Sequence, residues 1–318
     1  MRRLLFLYIL SAFVYLYAGL SAINMLPDAQ KNIYQNIKIL DQKRLSYSKI
    51  SGVTFAELSD LAYDKKTKVL YMLSDKGSLF AFEADFSSTI DKLVPLFGVK
   101  LRNKRGKRFK KWKRDSEGMT LDGRGHLVIS FEGKAKIAWF HKNSKHAGNL
   151  IRKYKLPKIL KKTNNYRSQN KSLEALAWHK KYGLLTATEW PLKKYHKKRQ
   201  TIYALSGKQW HFTAEPEARS AVVAMEVMDD GNILILERSY TGVFSPFIIT
   251  LKKVYINRCN QGICQSKVLL KMNSHKGWKV DNFEGLAKVG KNRYVMISDD
   301  NENFFQKTLL IYFEVIDG

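Results

Sequence analysis

Cysteine is nearly missing from this chain of 318 residues, which holds only Cys259 and Cys264. Two thiolates cannot close a tetrahedral zinc site, and no histidine lies near them in sequence. In a chain that leaves the cytoplasm, a pair flanking the Gln261-Gly262 turn predicts a disulfide across a hairpin loop, with free thiols the alternative. The Gly-x-Ser-x-Gly elbow of a serine hydrolase is absent as well, which argues against an ordinary serine esterase. Acidic residues are scarce: 28 Asp and Glu stand against 56 Lys and Arg, for a net charge of +28. That balance draws the molecule to polyanions or acidic surfaces, although a Lys-rich surface also arises from compositional bias alone.

Apolar residues are not short, at 45%, and 12% aromatic residues with six Trp supply the core of a folded globular body. The N-terminus reads Met1-Arg2-Arg3, then an apolar run from Leu4 to Leu20, then Ser21-Ala22. This order predicts a secretory signal over residues 1–22, with an uncleaved membrane tether through residues 4–22 as the alternative. No cysteine follows the run, so lipoprotein processing is not suggested. Residues 23–318 are expected to form a single extracytoplasmic domain, periplasmic or anchored facing the periplasm. A monomer is expected, without a nucleic-acid partner.

One pattern recurs along the chain. Glu117-Gly118-Met119-Thr120-Leu121 leads through a tight turn to His126–Ser130 and Glu132; Glu174–Trp178 leads to Leu184–Glu189; Glu284–Ala287 leads to Tyr294–Asp299. In all three copies the flanking acids are 15 residues apart. Weaker copies start at Ser59 and Val223, so the starts step by 58, 57, 49 and 61 residues. Four short strands per step predict an all-β chain folded as a β-propeller of five four-stranded blades, with six the alternative. The last copy is one strand short, and the lone strand Asn36–Leu40 is expected to close the ring. A β-sandwich followed by a second β domain is the competing architecture, but it gives no reason for the repeated acid spacing.

In a propeller an acid before the first strand of a blade and another after the second reach the same mouth of the central channel. The acids expected there are Asp75, Glu117, Glu132, Glu174, Glu189, Glu237, Glu284 and Asp299. Like charges so close repel and raise one another's pKa, which calls for hard cations such as Ca2+. The competing solution is pairing with Arg238, Lys76 or Lys134. The basic loops Arg102–Arg114, Lys158–Lys171, Lys193–Arg199 and Lys271–Lys279 open on the same face. Lys111, Arg114, Lys197 and Arg238 are the first candidates for a substrate phosphate. The expected partner is an anionic small molecule or an envelope polyanion.

Ser116–Leu121, Leu173–Ala177, Leu234–Ser239, Asn282–Ala287 and Ser298–Asn301 together resemble the phytase-like domain family, labelled "esterase-like activity of phytase". The likeness spans roughly residues 50–315. It implies an exported propeller distantly related to calcium-dependent propeller phytases; from the cation site and its basic rim, a metal-dependent phosphoric-ester hydrolase or esterase-like protein is the first expectation. Ser59 and Val223 stand where that pattern has acids, so the ring is incomplete at two places. A non-catalytic propeller that binds an anionic glycan or lipid headgroup remains the second expectation.

Overall fold

The computed structural model describes residues 19–316, apart from 91, 169, 243 and 304. Residues 1–18 of the expected export segment lie outside the described residues. The chain enters through β1 (Leu20–Ala22), β2 (Ile33–Tyr34), β3 (Ile37–Leu45) and the small hairpin β4 (Lys49–Ile50) and β5 (Val53–Thr54). A meander then forms a four-stranded antiparallel sheet of β6 (Leu58–Asp64), β7 (Val69–Ser74), β8 (Ser78–Asp85) and β9 (Lys92–Lys100). The same meander recurs as β10 (Ser116–Leu121), β11 (Leu127–Phe131), β12 (Lys136–Phe140) and β13 (Leu150–Lys153). Next come β14 (Leu173–His179), β15 (Gly183–Thr188), β16 (Arg199–Ala204) and β17 (Gln209–Thr213). β18 (Ala221–Val227), β19 (Ile233–Ser239), β20 (Ile248–Asn260) and β21 (Ile263–Asn273) follow. The last group is β22 (Asn282–Gly290), β23 (Arg293–Asp299) and β24 (Thr308–Val315), and the edge of β24 pairs antiparallel with β3.

The first strands of the groups are neighbours in cyclic order: β6 lies beside β10, β10 beside β14, β14 beside β18, β18 beside β22, and β22 beside β6. The apolar core sits between adjacent sheets. Leu73 and Leu79 cluster with Ile129 and Phe131, and Val128 and Ile137 with Leu176 and Tyr203. Ile202 joins Ile235, Leu251 joins Met296, and Tyr312 joins Phe82 in the same way. The architecture is an all-β propeller, and its second strands are mostly apolar and buried because both faces are covered. Turns between first and second strands hold Gly125 and Gly231 at φ of 76° and 79°, where a Cβ is disfavoured. Deep in the channel, the Asp60 carboxylate accepts N–H groups of Leu61, Met119 and Leu286, from three different elements, at 2.8, 2.6 and 3.1 Å.

Two elements are longer than their sequence patterns suggest. The strand read as Asn36–Leu40 runs from Ile37 to Leu45, and the hairpin of β20 and β21 extends well past its blade. The extension reaches β17, where the His211 N–H donates to the Gly262 carbonyl at 3.0 Å, so the third and fourth sheets become continuous. Cys259 and Cys264 are disulfide-bonded at the hairpin tip.

In every first strand the ladder to the second strand slips by one residue at the same point. The slip falls at Ser59, at Glu117-Gly118, at Glu174, at Val223 and at Glu284. A β-bulge at that point re-aims the side chain that follows the ladder. It is the device that turns the motif acids toward the channel mouth.

Candidate metal centre at the channel mouth

The five mouth corners share one construction. In three of them the N–H of the residue after the second strand donates to the carbonyl two residues before the bulge: Asp75 to Glu57, Glu132 to Asp115, and Glu189 to Ser172. These bonds bring the two ends of each strand pair together. Within the second corner, Asp115, Glu117 and Glu132 place one oxygen each within 4.8 Å of one another, and across the second and third corners so do Glu132, Glu174 and Glu189. Glu132 belongs to both groups, and its Oε1 also accepts the Ser172 N–H at 2.8 Å.

Cations neutralise one side of the ring. Lys171 Nζ lies 2.6 Å from Glu189 Oε2, and Arg238 lies 2.5 Å from Glu284 and 3.6 Å from Glu189. Arg238 also donates to Asn282 Oδ1 at 2.5 Å, while the Asn282 amide donates to Glu284 at 2.9 Å. At the first corner Lys76 pairs with Glu57 and stands 3.6 Å from Asp75. Asp75 Oδ1 is buried with no hydrogen-bond partner.

The other carboxyls lie farther from Lys171 and Arg238, and burial together with one another's charge raises their pKa values. Burial and the repulsion of Glu132 hold Glu117 well above the usual carboxylate range, and burial and Glu189 do the same to Glu174. Burial, followed by the charge of Glu189, pushes Glu132 up to about 8. Asp75 rises to about 8 through burial and its neighbour Glu57, and Asp299 to about 9 through burial and Glu284. Burial opposes the charge of Arg238, but Glu284 and Glu189 outweigh it and raise its pKa.

The register settles where the fourth corner points. Leu173 pairs with Thr188, Phe283 with Ser298 and Val222 with Glu237. Arg238, not Glu237, therefore occupies the position of Glu189 and Asp299. Glu237 faces the other side of its strand, because side chains alternate and one residue of offset reverses the face. There its Oε1 is 2.9 Å from Lys252, and its Oε2 accepts from the Glu215 N–H and the Ser220 hydroxyl, both at 2.8 Å. Arg238, read from the sequence as a phosphate ligand, is engaged by the ring itself.

The remaining expected residues lie on the rim. Lys111 opens the 3-10 turn Lys111–Lys113 ahead of β10, and Arg114 caps it beside Gly77. Lys197 lines a cavity of about 310 Å3 with Arg167, Trp190, Lys198, Glu217 and Arg219. The motif reading missed Glu57, Asp115 and Asn282. A signal was present: each lies two residues before a bulge, at Ser59, Glu117 and Glu284.

Comparison with known proteins adds a family. The profile of the phytase-like family, described as esterase-like activity of phytase, matches residues 53–302. The chain belongs to the phytase-like family. No curated protein matches it. Among solved structures, this phytase-like chain is similar to the PQQ-bound aldose sugar dehydrogenase of Streptomyces coelicolor, at 10% identity and a TM-score of 0.45, over 88% of this chain and 98% of that one. It is also similar to virginiamycin B lyase from Staphylococcus aureus, at 10% identity and a TM-score of 0.39, over 93% of this chain and 99% of that one. A luciferin-regenerating enzyme aligns at 12% identity and a TM-score of 0.41, over 82% of this chain and 92% of that one.

Proposed function

We propose that this exported propeller is a metal-dependent phosphoric-ester hydrolase that acts on an anionic substrate at the carboxylate mouth, with Ca2+ as its cation. The observation that carries this reading is the pair of carboxylate groups sharing Glu132, half-buried at Asp115 and Glu117 and buried at Glu132, Glu174 and Glu189, in which Lys171 and Arg238 pair with Glu189. An all-oxygen set of hard donors fits a calcium ion, which accepts several carboxylates together with carbonyls and waters. The buried, unpartnered Asp75 Oδ1 fits the same need for positive charge. Glu117, Glu132, Glu174 and Glu189 would hold the cation, with Asp115 beside them.

Once bound, such a cation supplies Lewis-acid polarisation of a phosphoryl oxygen and lowers the pKa of water. The chain's own part is positional. Lys171 and Arg238 lock Glu189 and Glu284 in place, and the Ser172 N–H orients Glu132. Lys197, Lys198 and Arg219 at the adjoining cavity offer positive charge to the remainder of an anionic substrate. Differential scanning of the purified protein, with Ca2+ and then with EDTA, is paired with phosphate release from a panel of phosphoric monoesters and diesters. Calcium is expected to raise the melting temperature and to be required for release. An unchanged melting temperature together with no product from any ester would sink the proposal.

A second reading rests on Arg238. Because it places a guanidinium where the other corners have carboxylates, half of the ring is neutralised without metal, as in a propeller that binds anions at its rim and performs no chemistry. Calcium-independent stability with retained binding of an anionic glycan or headgroup would favour it.

A further inference from the structure

Exposed aromatic side chains gather on one face of the propeller. Among the described residues, Trp112, Tyr240, Phe244 and Phe305 are 54%, 38%, 96% and 84% exposed. Trp112 precedes β10, Tyr240 and Phe244 follow β19, and Phe305 joins β23 to β24, so all four stand where the first strands begin and the carboxylate mouth opens. Of the exposed aliphatic groups among the described residues, Ile33, Ile263 and Ile316 lie at the other ends of their strands, and Leu96 lies midway along β9. The Phe244 loop has a firm base, since Tyr240 and Phe247 stack at 4.3 Å with planes 6° apart. Basic segments share this face: Lys104–Arg114 carries Trp112, and Lys193–Arg199 leads from β15 into β16 at the same end.

The chain's entry point is at the same end. Thr308, which opens β24, pairs with Leu45 of β3, and Leu45 in turn pairs with Leu20 of β1. The Ser46 N–H donates to the Gly19 carbonyl at 2.8 Å, holding the first described residue beside the mouth.

We propose that the mouth face lies against a lipid bilayer with anionic headgroups, with Trp112, Phe244 and Phe305 in the interface and the basic loops over the headgroups. Aromatic rings favour the depth where water meets acyl chains, and clustered Lys and Arg favour an anionic leaflet. A soluble polyanion answers the charge but leaves the exposed rings without a role. The surface does not depend on a cation in the mouth, so the test is run in EDTA and its outcome is separable from the calcium reading.

The protein, as recovered from expressing cells, is mixed with phosphatidylglycerol vesicles or phosphatidylcholine vesicles, and hydrogen–deuterium exchange is followed by mass spectrometry. Uptake in peptides around Trp112, Phe244 and Phe305 is expected to fall severalfold with phosphatidylglycerol only, while the opposite turns at Asp122–His126 and Asp229–Asn232 stay unchanged. The double variant Phe244→Ser, Phe305→Ser is expected to lose that protection at an unchanged melting temperature. If the double variant melts lower, Trp112→Ala on a separate loop gives the same readout. Equal uptake in both vesicles overturns the proposal. So does equal protection by a soluble anionic polysaccharide that survives the aromatic substitutions.

Discussion

Glu132 and Glu237 look alike in the sequence, each closing a second strand, yet they occupy different physical situations. Glu132 faces other carboxylates and is pushed up to about 8 by burial and Glu189, whereas Glu237 is enclosed by Lys252, Ser220 and the Glu215 N–H. Glu132→Gln is expected to abolish the calcium-dependent rise in melting temperature, because it removes the carboxylate charge of the residue common to both groups. Glu237→Gln is expected to cost about 1–3 kcal/mol of stability, since it weakens a buried charged contact, and to leave the calcium response intact. Denaturant titration and thermal scans with and without Ca2+ separate the two. A calcium response lost in Glu237→Gln would contradict this division of roles.

At the scale of the element, the bulge is what makes a strand end into a ligand position. Gly118 sits in the bulge of β10, and a Cβ built there meets the Glu174 carbonyl oxygen of the next blade. The Ser130 hydroxyl crowds the same point at 2.7 Å from that Cβ. Gly118→Ala is therefore expected to push β10 and β14 apart and to destabilise by about 1–3 kcal/mol, as overpacking does. It should also weaken calcium binding, because Glu117 and Glu174 flank the displaced contact. A calorimetric titration that finds wild-type affinity in this variant would show that the bulge spacing is not needed for the site. Repeated acids announced the strand pairs, and their offset of two residues would have revealed Asp115 and Glu57. The one-residue reversal at Glu237 and Arg238 stayed hidden, because a sequence carries no register.

The whole molecule adds two expectations. In EDTA, Glu132 and Asp299 keep their protons in the folded state to about 8 and about 9, whereas their usual values are 4.5 and 3.8. Between those limits the folded chain binds more protons than the unfolded one, so stability falls as pH rises. The contribution is full below about pH 4 and lost above about pH 9, which melting curves across that window will read. Calcium favours the ionised carboxylates and is expected to flatten or reverse the slope; parallel curves with and without Ca2+ would contradict a cation in the mouth. The second expectation concerns the joined ends of the chain. Deleting residues through Leu45 strips the partner from the edge of β24 along its whole length. Cooperative unfolding is expected to be lost, and an unchanged sharp transition in circular dichroism would show that the remaining sheets hold without that strand.

The β-propeller architecture and much of the acidic mouth were legible because both depend on periodicity: short alternating strands, turn residues between them, and an acid spacing of 15 residues repeated three times. Periodicity is local, so composition and spacing suffice to expose it. Tertiary structure alone decided which acids share a ligand-sized space, that Arg238 and Lys171 neutralise one half of the ring, and that Glu237 turns away to Lys252. Those outcomes depend on strand register, on a bulge and on contacts between blades, where a shift of one residue reverses a side chain and a neighbour distant in sequence fixes its charge.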